Sequence, residues 1–267
     1  MLRGASAEAL RELTGSLGSS GTLEDQAKLG RDLFGVVDVV RGDAALRRAL
    51  TDNSVEGESR SGLATAVFGS AVGDRAATLV ADAASRRWTS GADLPGALER
   101  LAVVATVRSA GAKGTKVGDE LFAVRQLIDS APELRSALAD PARTVSDRSG
   151  LLAGLLSGKV ESATDTLVTR AVGRGRGSVA STLDDYLEIA AEALEETVVT
   201  VHTARELGEA DQQRLADALS RQYDTTVQLH VVVDPDLIGG LRVEIGDDVI
   251  DGTVASRLDD ARRKIAG

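Results

Sequence analysis

The chain has no cysteine and only two histidines among its 267 residues. Disulfides, thiolate metal sites and thiol nucleophiles are therefore excluded, and two imidazoles alone do not make a structural zinc centre. Aromatic residues amount to 2%, with one Trp, two Tyr and three Phe. A core with so few rings must be filled by Leu, Val, Ile and Ala, a composition that suits closely packed helices. No apolar run approaches the ~20 residues of a membrane-spanning helix, and the opening MLRGASAEAL lacks the apolar centre of a secretion signal. Basic residues are the minority, leaving a net charge of −10. A surface of that sign does not suit a phosphate backbone. Neither a nucleic-acid partner nor direct membrane insertion is expected.

The hydrophobic content of 43% is ordinary for a globular protein, and the length allows two or three domains. Helical spacing runs through most of the chain. Leu10, Leu13 and Leu17 mark a first helix that the Gly/Ser-rich stretch from Gly15 to Gly21 should end. A second begins near Leu23, and Asp43 is placed to cap a short third one over 43–50. Further helices are predicted near 57–69, 72–88 and 92–108.

The pattern then repeats. Leu33-Phe34 aligns with Leu121-Phe122 at an offset of 88 residues, and Leu46-Arg47-Arg48-Ala49-Leu50 aligns with Leu134-Arg135-Ser136-Ala137-Leu138. Arg60-Ser61-Gly62-Leu63 falls on Arg148-Ser149-Gly150-Leu151, and Ala9-Leu10 with Leu13 on Ala97-Leu98 with Leu101. One register held across separated blocks, polar positions included, marks a duplicated helical module. The Gly111–Lys116 stretch between the copies reads as a linker or a kinked helix junction. Whether the copies are separate bundles or share the helix at 92–108 stays open at this level.

After a helix over 182–194 the period changes. Residues 195–202 read as a strand, 209–222 as a helix, and Val227, Leu229, Val231 and Val233 alternate with Gln228, His230 and Val232 as a half-buried strand. Asp234-Pro235-Asp236 turns the chain, and Gly239-Gly240 supplies backbone freedom before a strand over 241–245. Gly246-Asp247 is a hairpin turn leading to a short returning strand over 248–251. A last helix carries Val254, Leu258, Ala261 and Ile265. The expected fold is mainly α, with a first module copy over 1–110, a second over 111–195 and a small α/β domain over 196–267.

Candidates for chemistry are few. His230 sits on the polar side of its strand and His202 at a strand's end, neither with a Ser or carboxylate at a spacing that makes a triad. Gly173-Arg174-Gly175-Arg176-Gly177-Ser178 lacks the Gly-Lys-Ser/Thr ending of a phosphate loop and has no preceding strand, so it reads as a helix-to-helix turn. Asp247-Asp248 and Asp259-Asp260 read as turn and solvated helix residues rather than a cation site. Trp88 fits a core position or an interface anchor equally. No catalytic residue, cofactor or metal is expected.

Leu237-Ile238-Gly239-Gly240, Ile245-Gly246-Asp247, Val249-Ile250-Asp251-Gly252, Val254, Arg257 and Leu258 form one long motif. It resembles the C-terminal signature of the delta subunit of F-type ATP synthase, the relative of the mitochondrial oligomycin-sensitivity-conferring protein. The duplicated module resembles the long delta-type chains of actinobacteria. The resemblance implies a non-catalytic stator subunit at the cytoplasmic face of the membrane. Its helical part would grip the N-terminal helix of an alpha subunit, and its small domain would receive the C-terminus of the b subunit. Leu10 and Leu13, their counterparts Leu98 and Leu101, and Trp88 are the expected contact residues. Leu237 to Gly240, Gly246, Asp247, Asp251, Gly252 and Arg257 would set up the small domain. A different reading of the helical repeat is a regulatory scaffold for some other amphipathic segment.

Overall fold

The computed structural model describes residues 2–17, 22–174, 177–194, 196–223, 226–235, 237, 239–245 and 248–251. The first copy consists of α1 (Ala5–Leu17), α2 (Leu23–Gly42), α3 (Ala44–Thr51), α4 (Gly57–Phe68), α5 (Asp74–Ser85) and α6 (Asp93–Arg108). A 3-10 turn at Gly111–Lys113 leads into α7 (Gly114–Ser130), followed by α8 (Pro132–Ala139), α9 (Val145–Leu156), α10 (Ser162–Gly173) and α11 (Val179–Ala193). Adding 88 to the bounds of α3, α4 and α5 gives those of α8, α9 and α10, residue for residue.

Local chemistry explains the boundaries. Thr22 and Asp25 form a reciprocal capping box at the start of α2, and Thr144 with Asp147 does the same for α9. The Asp43 carboxylate accepts from the backbone N–H of Ala45 and Leu46 at 2.8 and 2.9 Å, as its sequence position predicts for a cap of α3. Pro132 opens α8, where its missing N–H costs nothing. The first helix departs from expectation by running through Gly15 to Leu17. Leu13 and Leu17 are both buried, and their burial outweighs the ~1 kcal/mol that a mid-helix glycine costs.

Helix α6 answers the question of separate or shared bundles. It is apolar on nearly every side, with Leu94, Leu98, Leu101, Val103, Val104 and Val107 all buried, as a helix enclosed by others must be. In the first copy it is the sixth helix, packed against α1, α2 and α5. In the second copy it is the first, packed against α10 and α11. Gly30 lets α2 come close: a Cβ there would lie 2.4 Å from Thr106 Oγ1 and 3.2 Å from the Ala102 carbonyl oxygen. Gly118, the same position in α7, is likewise buried. One continuous core runs through both copies.

The remaining elements are β1 (Glu196–Thr203), α12 (Glu209–Tyr223), β2 (Thr226–Val233), β3 (Leu241–Ile245) and β4 (Asp248–Asp251). They form a sheet in the order β2-β1-β3-β4, with β1 and β2 parallel across α12 and the other pairs antiparallel. Val199, Val201, Leu219, Val227, Val243 and Ile245 make a second, separate core. Gly240 has φ of 82°, the left-handed backbone its place before β3 calls for.

The alternation in β2 was expected to leave His230 on a solvent-facing side, and here the structure differs. His230 is buried, while Val233, expected to face inward, is 45% exposed. The second face of this strand is covered by α7 rather than by water, so alternation within the strand alone misassigns it. Ile238, Gly246, Asp247, Gly252, Arg257 and the expected last helix from Val254 lie outside the described residues.

Candidate functional site

The surfaces suited to holding partners follow from how the two copies meet. Between α1 and α5 of the first copy lies a groove of about 340 Å³. Its floor is Leu17, Leu29 and Leu79, and Asp74, Arg75 and Asp82 form a mixed rim. In the second copy the rim position of Asp82 is taken by Arg170, and that residue is bound from outside. Its Nη1 donates to Asp38 of α2 at 2.6 Å, and the guanidinium lies 4.9 Å over the Phe34 ring. In the first copy Asp82 pairs instead with Arg86 of the same copy.

Behind Arg170 sits a buried charge cluster that ties the copies together. Glu99 of α6 is 2% exposed. It accepts from Arg41 of α2 at 2.5 Å and from the Tyr186 hydroxyl of α11 at 3.0 Å. Arg170 and Arg174 approach it at 3.4 and 3.2 Å. Burial pushes the Glu99 carboxyl up, but the Arg41 hydrogen bond and the charges of Arg41, Arg174 and Arg170 outweigh it and hold it below the usual carboxylate range. Burial also pushes the Tyr186 phenol well up, with the Glu99 charge adding to it, so the hydroxyl stays a donor. Three helices, α2, α10 and α11, thus converge on one carboxylate carried by α6.

A second joint holds the small domain. Phe122 of α7 stacks on His230 of β2 with ring centroids 4.1 Å apart and an interplanar angle of 15°. Gln126 Nε2 donates to the Val231 carbonyl at 3.4 Å. Burial lowers the His230 pKa to about 4, so the ring is neutral at pH 7. Phe122 and Gln126 are the 88-residue counterparts of Phe34 and Asp38. The same face of the second helix in each copy therefore docks onto the next unit. Beside this joint a cleft of about 840 Å³ runs between α7 and the β2 edge, with Leu127, Leu207 and Val233 along it.

The residues expected to contact partners fare unequally. Leu13, Leu98 and Leu101 are fully buried and Trp88 is 2% exposed, its Nε1 donating to the Ala83 carbonyl at 2.9 Å. All four are closed into the intramolecular core, because α6 is wrapped by both copies and α1 is seated on it. They present no surface, and a carboxylate placed at Leu13 would test folding rather than binding. Leu10 alone stays half-exposed, in a cleft shared with α6 and α11. Leu237, Gly239, Gly240 and Asp251 fall on the approach to β3 and on β4. Glu99 and His230 were the residues that sequence reasoning missed as structural joints. The all-round apolarity of 94–107 was the one available signal for Glu99. Among the described residues, no group of three or more acidic or histidine side chains is disposed to hold a metal, and no helix is long and apolar enough to cross a membrane.

A family model for the ATP synthase delta (OSCP) subunit matches residues 102–265, beginning inside the shared helix. The chain is 47% identical over its whole length to ATP synthase subunit delta of Nocardioides sp., covering 98% of that protein. It is 42% identical over 91% of its length to the same subunit of Kineococcus radiotolerans, and 40% identical over 99% to that of Streptomyces coelicolor. The matches span 89% and 98% of those two proteins. A looser likeness in structure, with a TM-score of 0.36 and 22% identity over 62% of the chain, is to a chain of the Toxoplasma gondii mitochondrial ATP synthase hexamer, of which 95% is covered. An end-to-end match at this identity, with the duplicated module included, means that the chain belongs to the ATP synthase delta (OSCP) subunit family.

Proposed function

We propose that this chain is the non-catalytic clamp of the ATP synthase peripheral stalk, holding the alpha subunits of the catalytic head to the b subunits of the membrane sector. The reading rests on whole-length identity of 47% to an ATP synthase delta subunit, and the architecture agrees with it. A stator must transmit torque without yielding, and a single core running through both copies, cross-braced at Glu99, is suited to that load. The work is mechanical: apolar contact and rigid helices, with no nucleotide chemistry by this chain. The complex would hold it at the cytoplasmic face of the membrane without any span of its own.

The groove between α1 and α5 is the seat we assign to the N-terminal helix of an alpha subunit. Its apolar floor and charged rim fit an amphipathic helix laid into it. The cleft beside β2, with Leu127 and Val233 exposed, is assigned to the C-terminal end of the b subunit. Calorimetric titration of the full chain with a peptide of the cognate alpha N-terminal helix tests the first assignment. One peptide should bind per chain, and Thr78→Glu on the exposed groove wall should weaken it about tenfold or more without loss of helicity. Undiminished binding by that variant would remove the groove from the account.

A further inference from the structure

The repeat defines what normally covers each helix. Within a copy, the second helix packs on the sixth: α2 on α6, and α7 on α11. Three positions lie on or beside the covered face of the sixth helix, and all are closed in both copies. On α6 they are Leu98, Glu99 and Ala102, and 88 residues later on α11 they are Tyr186, Leu187 and Ala190. Their counterparts on α1 are Leu10, Arg11 and Thr14. There the same positions are open: Leu10 and Thr14 are half-buried and Arg11 is exposed. Among the described residues, no helix lies over this face of α1 as α2 lies over α6.

That open face continues into a cleft of about 240 Å³, where Leu10, Arg11 and Thr14 meet Arg100, Val104 and Arg108 of α6, with Glu192 and Ala193 of α11. Three arginines and one glutamate give it a net positive charge in a chain of net charge −10. Arg100 pairs with Glu192 within the cleft. The charge at the central position is also reversed. On α6 this position is Glu99, and the helix covering it brings Arg41. On α1 it is Arg11.

We infer that the Leu10–Arg11–Thr14 face of α1 is a second helix-docking surface, taking a partner helix seated as α2 sits on α6 and carrying a carboxylate where α2 carries Arg41. The occupant is an amphipathic helix of another chain with an acidic polar face. The small side chain of Thr14 on this side, and a glycine in the incoming helix at the position of Gly30, permit the close approach seen at Ala102 and Thr106. This surface is separate from the α1–α5 groove and does not depend on what fills that groove.

The chain itself supplies the probe. A peptide of residues 22–43 in which Arg41 is replaced by Glu mimics the required occupant, and the unaltered peptide is its control. Against the full-length protein, the Arg41→Glu peptide should bind with one site per chain and about tenfold more tightly than the control. Arg11→Glu in the protein, an exposed change that leaves the core alone, should reverse that preference. Thr78→Glu should leave both affinities unchanged, which separates this surface from the alpha-subunit seat. Equal binding of the two peptides, a preference that Arg11→Glu fails to reverse, or no binding of either would overturn the inference.

Discussion

Phe34 and Asp38 in the first copy, and Phe122 and Gln126 in the second, occupy the same places on the same helix, yet they make joints of different kinds. The first pair meets Arg170 at the edge of a core that runs without a break into the next copy, with Glu99, Arg41 and Arg174 behind it. The second pair meets a neutral histidine and one backbone carbonyl, between two cores that do not join. An inherited docking face thus becomes rigid or compliant according to what it is given to grip. Ionic bracing spans the copies. A ring stack and one long hydrogen bond hold the small domain.

The largest test of this contrast is Glu99→Ala. Removing a buried carboxylate leaves its arginines uncompensated, a change that costs ~3–5 kcal/mol in buried pairs. Arg170 and Arg174 keep Asp38 and Asp185 as partners, so the loss should fall near the lower end. Urea unfolding should show it as a shift of one transition covering both copies. A variant that unfolds in two separate steps would mean that the copies were never one unit.

Acid should distinguish the joints next. The folded pKa of His230 lies near 4, below its ordinary 6.5, so the folded state favours the neutral ring. Its contribution is complete above pH ~6.5 and lost as pH falls toward 4, amounting to ~3 kcal/mol over the window. Glu99 also has a lowered pKa, but its contribution declines only below the ordinary carboxylate value of 4.5. Between pH 6.5 and 4.5, hydrogen exchange should therefore rise in β2 and the adjoining part of α7 while α6 stays protected. His230→Phe should abolish that difference; if exchange rises equally in α6, the two joints are not independent.

Phe122→Ala is the smallest and most local change. It removes a half-buried ring at the edge of a core, a loss of ~1–2 kcal/mol. Limited proteolysis should then cut the small domain free at lower protease concentration, with the helical copies left intact. Loss of helicity throughout would show that Phe122 belongs to the main core.

Much of this architecture was legible in the sequence. The offset of 88 is unbroken, so the bounds of α3, α4 and α5 predict those of α8, α9 and α10, and the change from a period near 3.6 to 2 marks where strands begin. Roles that depend on a neighbour were less visible. Glu99 looks like any acid on a helix until three arginines from two other helices surround it. His230 sits at an outward position of its own strand, and only α7, more than a hundred residues earlier, makes that position an interior. Leu13, Leu98 and Leu101, expected as partner contacts, are buried in the core for a related reason. Helical spacing identifies an apolar face but not whether the chain or a partner will cover it, and here the chain does. Leu10 stays half-exposed because, among the described residues, no helix covers that face of α1.

Helix α6 also sets the arithmetic by which a chain of this kind can change length. Since one helix closes a module and opens the next, n modules need 5n + 1 helices rather than 6n, and two modules use the eleven from α1 to α11. A cut after residue 110 does not release two bundles; it takes from the second its first helix. Removing 88 residues in register, by contrast, joins α1 to the partners of α6 and leaves a complete shorter bundle. The unit that can be added or removed with the helix pairing intact is therefore five helices and 88 residues.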